Sequence, residues 1–176
     1  SDAYVVDNDS RFVFGFVRGA LNVGAACANY VELTNATRDS RGWSAELTDT
    51  DTGDTFTCKA RVIVNAAGPF VDDLNTQLGI ESKHQIVFSK GIHLIVPRIV
   101  SNEKVLAFFD DTERLFYVIP MGSRSVIGTT DERVVDPVTQ VDEEDRDFLL
   151  EQINKRLDLP KPLTPDDIIS TRCGVR

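Results

Sequence analysis

The sequence predicts an α+β (α/β) chain, and three observations predict it. Apolar residues recur at helical spacing near 11–23, 69–78 and 143–157. Residues 32–59 form short strand-like runs broken by polar turns, and a second strand-rich region begins at Gln85. With 176 residues, 41% hydrophobic and 27% charged, the chain suits one ordinary domain or two small ones sharing a core. That composition excludes disorder, a collagen-like repeat and a disulfide mini-protein.

The first helix is expected from Arg11, capped by Asp9 or Ser10 and ended by Gly24, because a short side-chain oxygen satisfies an amide left free in the first turn. Arg11, Gly15, Arg18 and Asn22 make one thin polar stripe on a cylinder dominated by Phe12, Phe14, Phe16, Val17 and Leu21. Such a helix is expected to be buried on most sides. Gly15 and Gly19, four apart, admit a close neighbouring backbone, read as tight packing in a soluble core. The apolar run Phe12 to Ala28 is broken by Arg18 and Asn22 and falls short of the usual membrane-spanning length, and no signal peptide is expected before it.

Glu32 to Arg38, Trp43 to Asp49 and Thr55 to Lys59, separated by polar turns, read as a β-meander. Arg61 to Asn65 is nearly continuous in apolar residues, the pattern of a strand covered on both faces. Ala66, Ala67, Gly68 and Pro69 follow, then Val71, Leu74 and Leu78 on one helical face with Gly79 just past the end, which makes a strand, tight turn, helix unit. Further strands are expected near 85–96, 105–109, 115–120 and 125–130. Asp142 caps a helix over 143–157, whose acidic first turn and basic last turn (Lys155, Arg156) agree with the helix dipole. Three prolines between 160 and 165 lead to a last strand, 168–176.

Charge and cysteines narrow the chemistry. Nineteen basic against 28 acidic residues give a formal charge of −9, the wrong sign for gripping nucleic acid, though a local basic site for a small anion fits. Cys27, Cys58 and Cys173 show no C-x-x-C spacing, so neither a disulfide framework nor a zinc site is written here, and a reducing compartment is expected. No metal site is expected. The glycines include no G-x-G pair, so this chain carries neither a dinucleotide fingerprint nor a P-loop.

Three places can hold chemistry. Alternation puts Ser89, Gly91 and His93 on one strand face, a wall beside a small substrate with an imidazole to move a proton; a hydrogen-bonded structural histidine is the alternative. Ser170, Arg172, Gly174 and Arg176 share a face, either an anion grip or solvated arginines on an edge. The small-residue turn after Val64 lets a ligand approach the backbone, as do many turns that bind nothing.

In order, Asn8-Asp9-Ser10-Arg11, Arg61-Val-Ile-Val-Asn-Ala-Ala-Gly-Pro-Phe70, Ser89-Lys-Gly-Ile-His-Leu-Ile-Val-Pro97, Phe116-Tyr-Val-Ile-Pro120, Ile127-Gly-Thr-Thr-Asp131 and Cys173-Gly-Val-Arg176 resemble the FAD-dependent, aerobic-type glycerol-3-phosphate dehydrogenase family. The likeness runs through essentially the whole chain, and Phe70 replaces the tryptophan usual there. It implies an internal fragment, without the family's N-terminal G-x-G-x-x-G unit and its C-terminal segment. The fold implied is an FAD-binding fold of the amino-acid-oxidase type with a mostly antiparallel substrate-binding sheet. Residues 1–80 would belong to the FAD domain, 81–167 to the substrate sheet, and 168–176 to a strand returning to the FAD domain.

The activity implied is oxidation of sn-glycerol 3-phosphate to dihydroxyacetone phosphate with FAD, and quinone as the electron acceptor. The parent is expected in the cytoplasm, peripheral at the inner face of the membrane; the fragment is expected to be soluble, inactive and unable to hold FAD. By resemblance Arg176 binds the substrate phosphate, with Thr130 and Asp131 nearby, and His93 is catalytic. Cys27, Ala67 and Gly68 match places where backbone lies against FAD. The competing readings are a relative oxidising amines or 2-hydroxy acids, one passing electrons to oxygen, and a binding module without catalysis.

Overall fold

A computed structural model describes residues 9–176, which divide into two compact units, described in turn. Asn8 of the first motif lies outside the described residues. The division falls after Val13 and after Ile86.

In the unit Phe14–Ile86 the meander forms as expected. Strands β1 (Val31–Asp39), β2 (Gly42–Asp49) and β3 (Thr55–Ala60) pair antiparallel in that order. Gly42 sits at φ +140° with Ala60 O only 2.4 Å from where a Cβ would stand, so this turn requires glycine. The small-residue turn leads through a short 3₁₀ turn, Gly68–Phe70, into α2 (Val71–Gln77).

Two expectations fail here. Residues 61–65 form no strand, and Val64 is 82% exposed, because no described strand runs beside them to pair their N–H and C=O groups. The first helix, α1 (Asp9–Asn22), already includes Asp9 and Ser10, the residues expected to cap it, and buries no side chain; Phe12, Phe14 and Phe16 are exposed. Nothing lies within 4 Å of a Cβ built on Gly15 or Gly19, so the expected tight packing is absent among the described residues. A helix that is apolar nearly all round needs cover from several elements, and the described residues do not supply it.

The other unit is built around β4 (Ser89–Pro97). With β5 (Leu106–Phe109), β6 (Leu115–Met121), β7 (Arg124–Gly128), β8 (Glu132–Arg133) and β9 (Ser170–Val175) it forms one antiparallel sheet. β7 pairs with residues 93–97 of β4 and β8 with 89–90, while β9 pairs with 90–95, so β9 must take the opposite edge. The last strand thus stands beside β4, inside the substrate-sheet unit.

One sheet face is core. Ile92, Leu94 and Val96 of β4, Phe116 and Val118 of β6 and Ile127 of β7 are buried, and α3 (Glu143–Arg156) adds Leu149, Leu150 and Ile153 to the same cluster. Each such side chain contributes about 1.5–3 kcal/mol. α3 starts where its sequence says it should: Asp142 accepts from Asp145 N–H at 2.9 Å and Asp145 returns the bond at 3.2 Å, a reciprocal capping box. At its far end Lys155 and Arg156 both reach Asp111, at 2.8 and 3.0 Å. These bonds, with one from Gln152, hold the Asp111 carboxyl down at about 2.

Candidate active site

The polar face of β4 gathers what the sequence scatters. In the β4–β9 ladder His93 stands opposite Arg172 and Gly91 opposite Gly174, and Ser89 exchanges two backbone hydrogen bonds with Arg176, at 2.8 and 3.0 Å. Residues opposite one another share a face, so Ser89, Gly91, His93, Arg172 and Arg176 converge on one surface. Neither strand's alternation alone predicts that meeting.

Gly91 makes room for Arg176. A Cβ built there would come within 2.6 Å of Arg176 Nη1 and 2.5 Å of Thr129 Oγ1, so the guanidinium and a hydroxyl lie over the bare backbone. Arg176 Nη2 lies 3.3 Å from Asp131 Oδ1, which also accepts from the Ser89 hydroxyl. Arg114 donates to the Asp131 carbonyl. Thr130, by contrast, turns inward: its side-chain oxygen accepts from Ile92 N–H at 3.1 Å, and it is buried.

His93 is half-buried. Burial first, then the Arg172 and Arg176 charges, hold its pKa below the usual 6.5, against an opposing pull from Asp9. The ring is therefore neutral at physiological pH, the form that accepts a proton or a hydrogen bond. Its ring also lies 2.6 Å from where a Cβ on Gly128 would sit, so Gly128 is the floor beneath the imidazole.

Two residues escape a reading by strand alternation. Thr129 faces Arg176 although Thr130 and Asp131 are the neighbours expected there; only its place in the Ile127–Asp131 segment flags it. Lys90 sits on the core face of β4, its side chain 4% exposed, with Nζ 2.8 Å from Glu132, 3.0 Å from Asp142 and 2.8 Å from Asp145. Burial opposes its charge, but the hydrogen bonds it donates to these carboxylates outweigh that and raise its pKa. The three carboxylates lie close enough together for a metal, and the ammonium occupies their centre.

A cavity of about 300 Å³ beside Thr130 and Asp131 is lined mostly by carboxylates, among them Asp110, Glu132 and Glu144. A phosphate dianion is repelled there and attracted to the Arg172–Arg176 surface.

The residues matched to cofactor contacts lie in the other unit. Cys27 is exposed and precedes β1 by four residues, short of the strand start expected for it. Asn65 ties the turn: its Oδ1 accepts from Ala67 N–H at 3.1 Å, and its Nδ2 donates to Val71 O and Asn75 Oδ1 at 2.9 and 3.0 Å. Gly68 has φ +58° and open space where a Cβ would lie.

One unit thus carries an antiparallel sheet with a histidine opposite an arginine on its polar face, and the other a small-residue turn; the class of protein is a flavoprotein oxidoreductase, as the family match shows. The FAD dependent oxidoreductase family model matches residues 1–176, and the chain belongs to this family. It is similar to the aerobic glycerol-3-phosphate dehydrogenase of Escherichia coli, 33% identical with 100% of this chain and 35% of that protein covered. The D-erythritol 1-phosphate dehydrogenase of Brucella abortus is 32% identical, with coverage of 100% and 35%. Among solved structures, the glycerol-3-phosphate dehydrogenase from Bacillus halodurans complexed with FAD superposes with TM-score 0.82 at 31% identity, covering 96% of this chain and 35% of that one. A flavoprotein/dehydrogenase from Cytophaga hutchinsonii, TM-score 0.60 at 14% identity over 94% of this chain and 41% of that one, shares the fold. The chain spans about a third of the length of the curated relatives it matches.

The family is FAD-dependent, and the chain's residues fit one wall of such a site. The turn 66–68 carries small residues and an open glycine, which leaves its backbone accessible to a flat ring. The glycine loop that would grip the pyrophosphate is not in this sequence.

Proposed function

We propose that this chain forms the substrate-facing part of a flavoenzyme that oxidises sn-glycerol 3-phosphate to dihydroxyacetone phosphate. The observation that carries this reading is the convergence of His93 and Arg176 on one face of the β4–β9 ladder. FAD, when bound, supplies the two-electron acceptor. Ala67, Gly68 and the backbone at Cys27 would lie against it.

The chain's own residues bind and orient. Arg176 takes the phosphate through its guanidinium fork, beside the Thr129 side chain, whose hydroxyl donates to the Thr130 carbonyl. His93, neutral and half-buried, accepts the proton of the carbon-2 hydroxyl as that carbon is oxidised. Thr130 acts at one remove, holding the Ile92 backbone.

Electrons pass on to quinone in this reading, and the parent protein sits at the inner face of the membrane; both rest on the motif resemblance. No helix among the described residues is long and apolar enough to cross a membrane. The isolated chain is inactive for want of a pyrophosphate loop, and turnover by it with added FAD would overturn that statement.

Substrate-dependent bleaching of the flavin in the full-length protein tests the assignment, with glycerol 3-phosphate set against D-erythritol 1-phosphate, glycine, sarcosine and 2-hydroxyglutarate. Preferential bleaching by glycerol 3-phosphate is expected. Bleaching by the amines or the hydroxy acid instead would make Arg176 a carboxylate clamp.

A further inference from the structure

We propose that Asp131 is the resident anion of Arg176: an incoming phosphate must displace its carboxylate, and Asp131 thereby sets the affinity of the site. The inference rests on the reading that Arg176 holds the substrate phosphate.

Arg176 is already engaged on one side of its fork. Nη1 lies over the bare Gly91 backbone beside Thr129, and Nη2 meets Asp131 Oδ1 at 3.3 Å. The same carboxylate oxygen takes the Ser89 hydroxyl. A phosphate entering over Gly91 therefore meets a guanidinium that has a partner.

The arrangement is built to be exchanged. Contact is through one nitrogen only, and the two side chains are 57% and 48% exposed, so the bond is weak and open to solvent. A phosphate brings more acceptor oxygens and up to twice the charge, and outcompetes a single carboxylate. The Asp131 backbone does not follow the side chain. Arg114 holds its carbonyl, and its neighbour Glu132 pairs across from Lys90 with its carboxylate on the buried ammonium. Displacement is thus a rotation of one side chain on an anchored strand, and the displaced carboxylate stays near enough to repel the phosphate that replaced it.

The opposite role, a carboxylate that helps by orienting Arg176, predicts the opposite result, so the sign of one measurement decides. In the full-length FAD-bound protein, competitive inhibition by inorganic phosphate is measured for the wild type, Asp131→Asn and Arg176→Met, with bound flavin quantified as a check on folding. Asp131→Asn should bind phosphate about two- to fivefold more tightly, the size of a half-exposed ion pair, with KM for glycerol 3-phosphate falling in step. Asp131→Ala, which also removes the contact with Ser89, should shift in the same direction. Unchanged or weaker phosphate binding in both Asp131 variants, with Arg176→Met still weakening it, overturns the inference and leaves the Arg176 assignment standing. Phosphate inhibition untouched by Arg176→Met overturns both.

Discussion

Lys90 Nζ lies 2.8 Å from Asp145 Oδ2 with the two side chains only 4% and 5% exposed, joining the central strand of the sheet to the first turn of α3. On the opposite side of that strand are Ser89, Gly91 and His93. The ion pair therefore locks the back of the sheet whose front carries the site.

Lys90→Ala leaves the Asp145 carboxylate buried without its cation, and should cost about 3–5 kcal/mol in urea unfolding. Lys90→Met combined with Asp145→Leu should recover much of that loss, since a well-packed apolar pair replaces a buried ionic one at little cost. The pH dependence follows from the raised lysine pKa. The contribution is complete below the unfolded value near 10.5 and declines as pH climbs towards the higher folded value. Stability that falls between pH 7 and 9 in the wild type but not in the double variant would contradict this.

The acid limb of flavin reduction should report His93. Because burial and the two arginines lower its pKa, the neutral ring persists below pH 6.5, and the rate should fall only under that value. Arg172→Ala removes one of the depressing charges, so the limb should move to higher pH. Imidazole NMR of the same variant reads the shift directly; no movement would remove Arg172 from the electrostatics of the site. His93→Ala should slow single-turnover reduction by about a hundredfold or more if the ring takes the proton. An unchanged rate would sink its catalytic role.

Glycines at the site separate ligand effects from folding effects. Gly91→Ala meets chiefly the movable ends of Arg176 and Thr129, with the Thr130 carbonyl farther off at 3.2 Å, so it should cost only about 1 kcal/mol while raising KM for glycerol 3-phosphate several-fold. Gly128→Ala meets the Ile92 carbonyl at 2.6 Å as well as the His93 ring, and backbone does not yield, so it should cost about 2–3 kcal/mol. Equal stability losses in thermal melts would show that the two positions do not differ as described.

Local chemistry made much of this legible in the sequence. Asp142, the acidic first turn and Lys155–Arg156 announce α3, and polar turns at 39–42 and 51–54 mark the meander. Position-two alternation names the right face for His93 and Arg176. What it cannot supply is the pairing of β4 with β9, since contacts between residues some 80 positions apart carry no periodic signal. Lys90 is hidden for the same reason: its partners stand 42, 52 and 55 residues away, and only in three dimensions does a lysine become a core residue. The apolar run at 61–65 is the converse case. Its pattern describes a doubly covered strand, and the described residues include no partner for it.

The central claim is that the phosphate of the substrate is held by Arg176 on the face that carries His93. Rapid mixing of glycerol 3-phosphate with the full-length oxidised protein, wild type against Arg176→Lys, tests it most directly through the concentration that half-saturates flavin reduction. Lysine keeps the charge and loses the fork, so that concentration should rise about tenfold or more, with a smaller effect on the limiting rate. Half-saturation at the wild-type concentration would contradict the account.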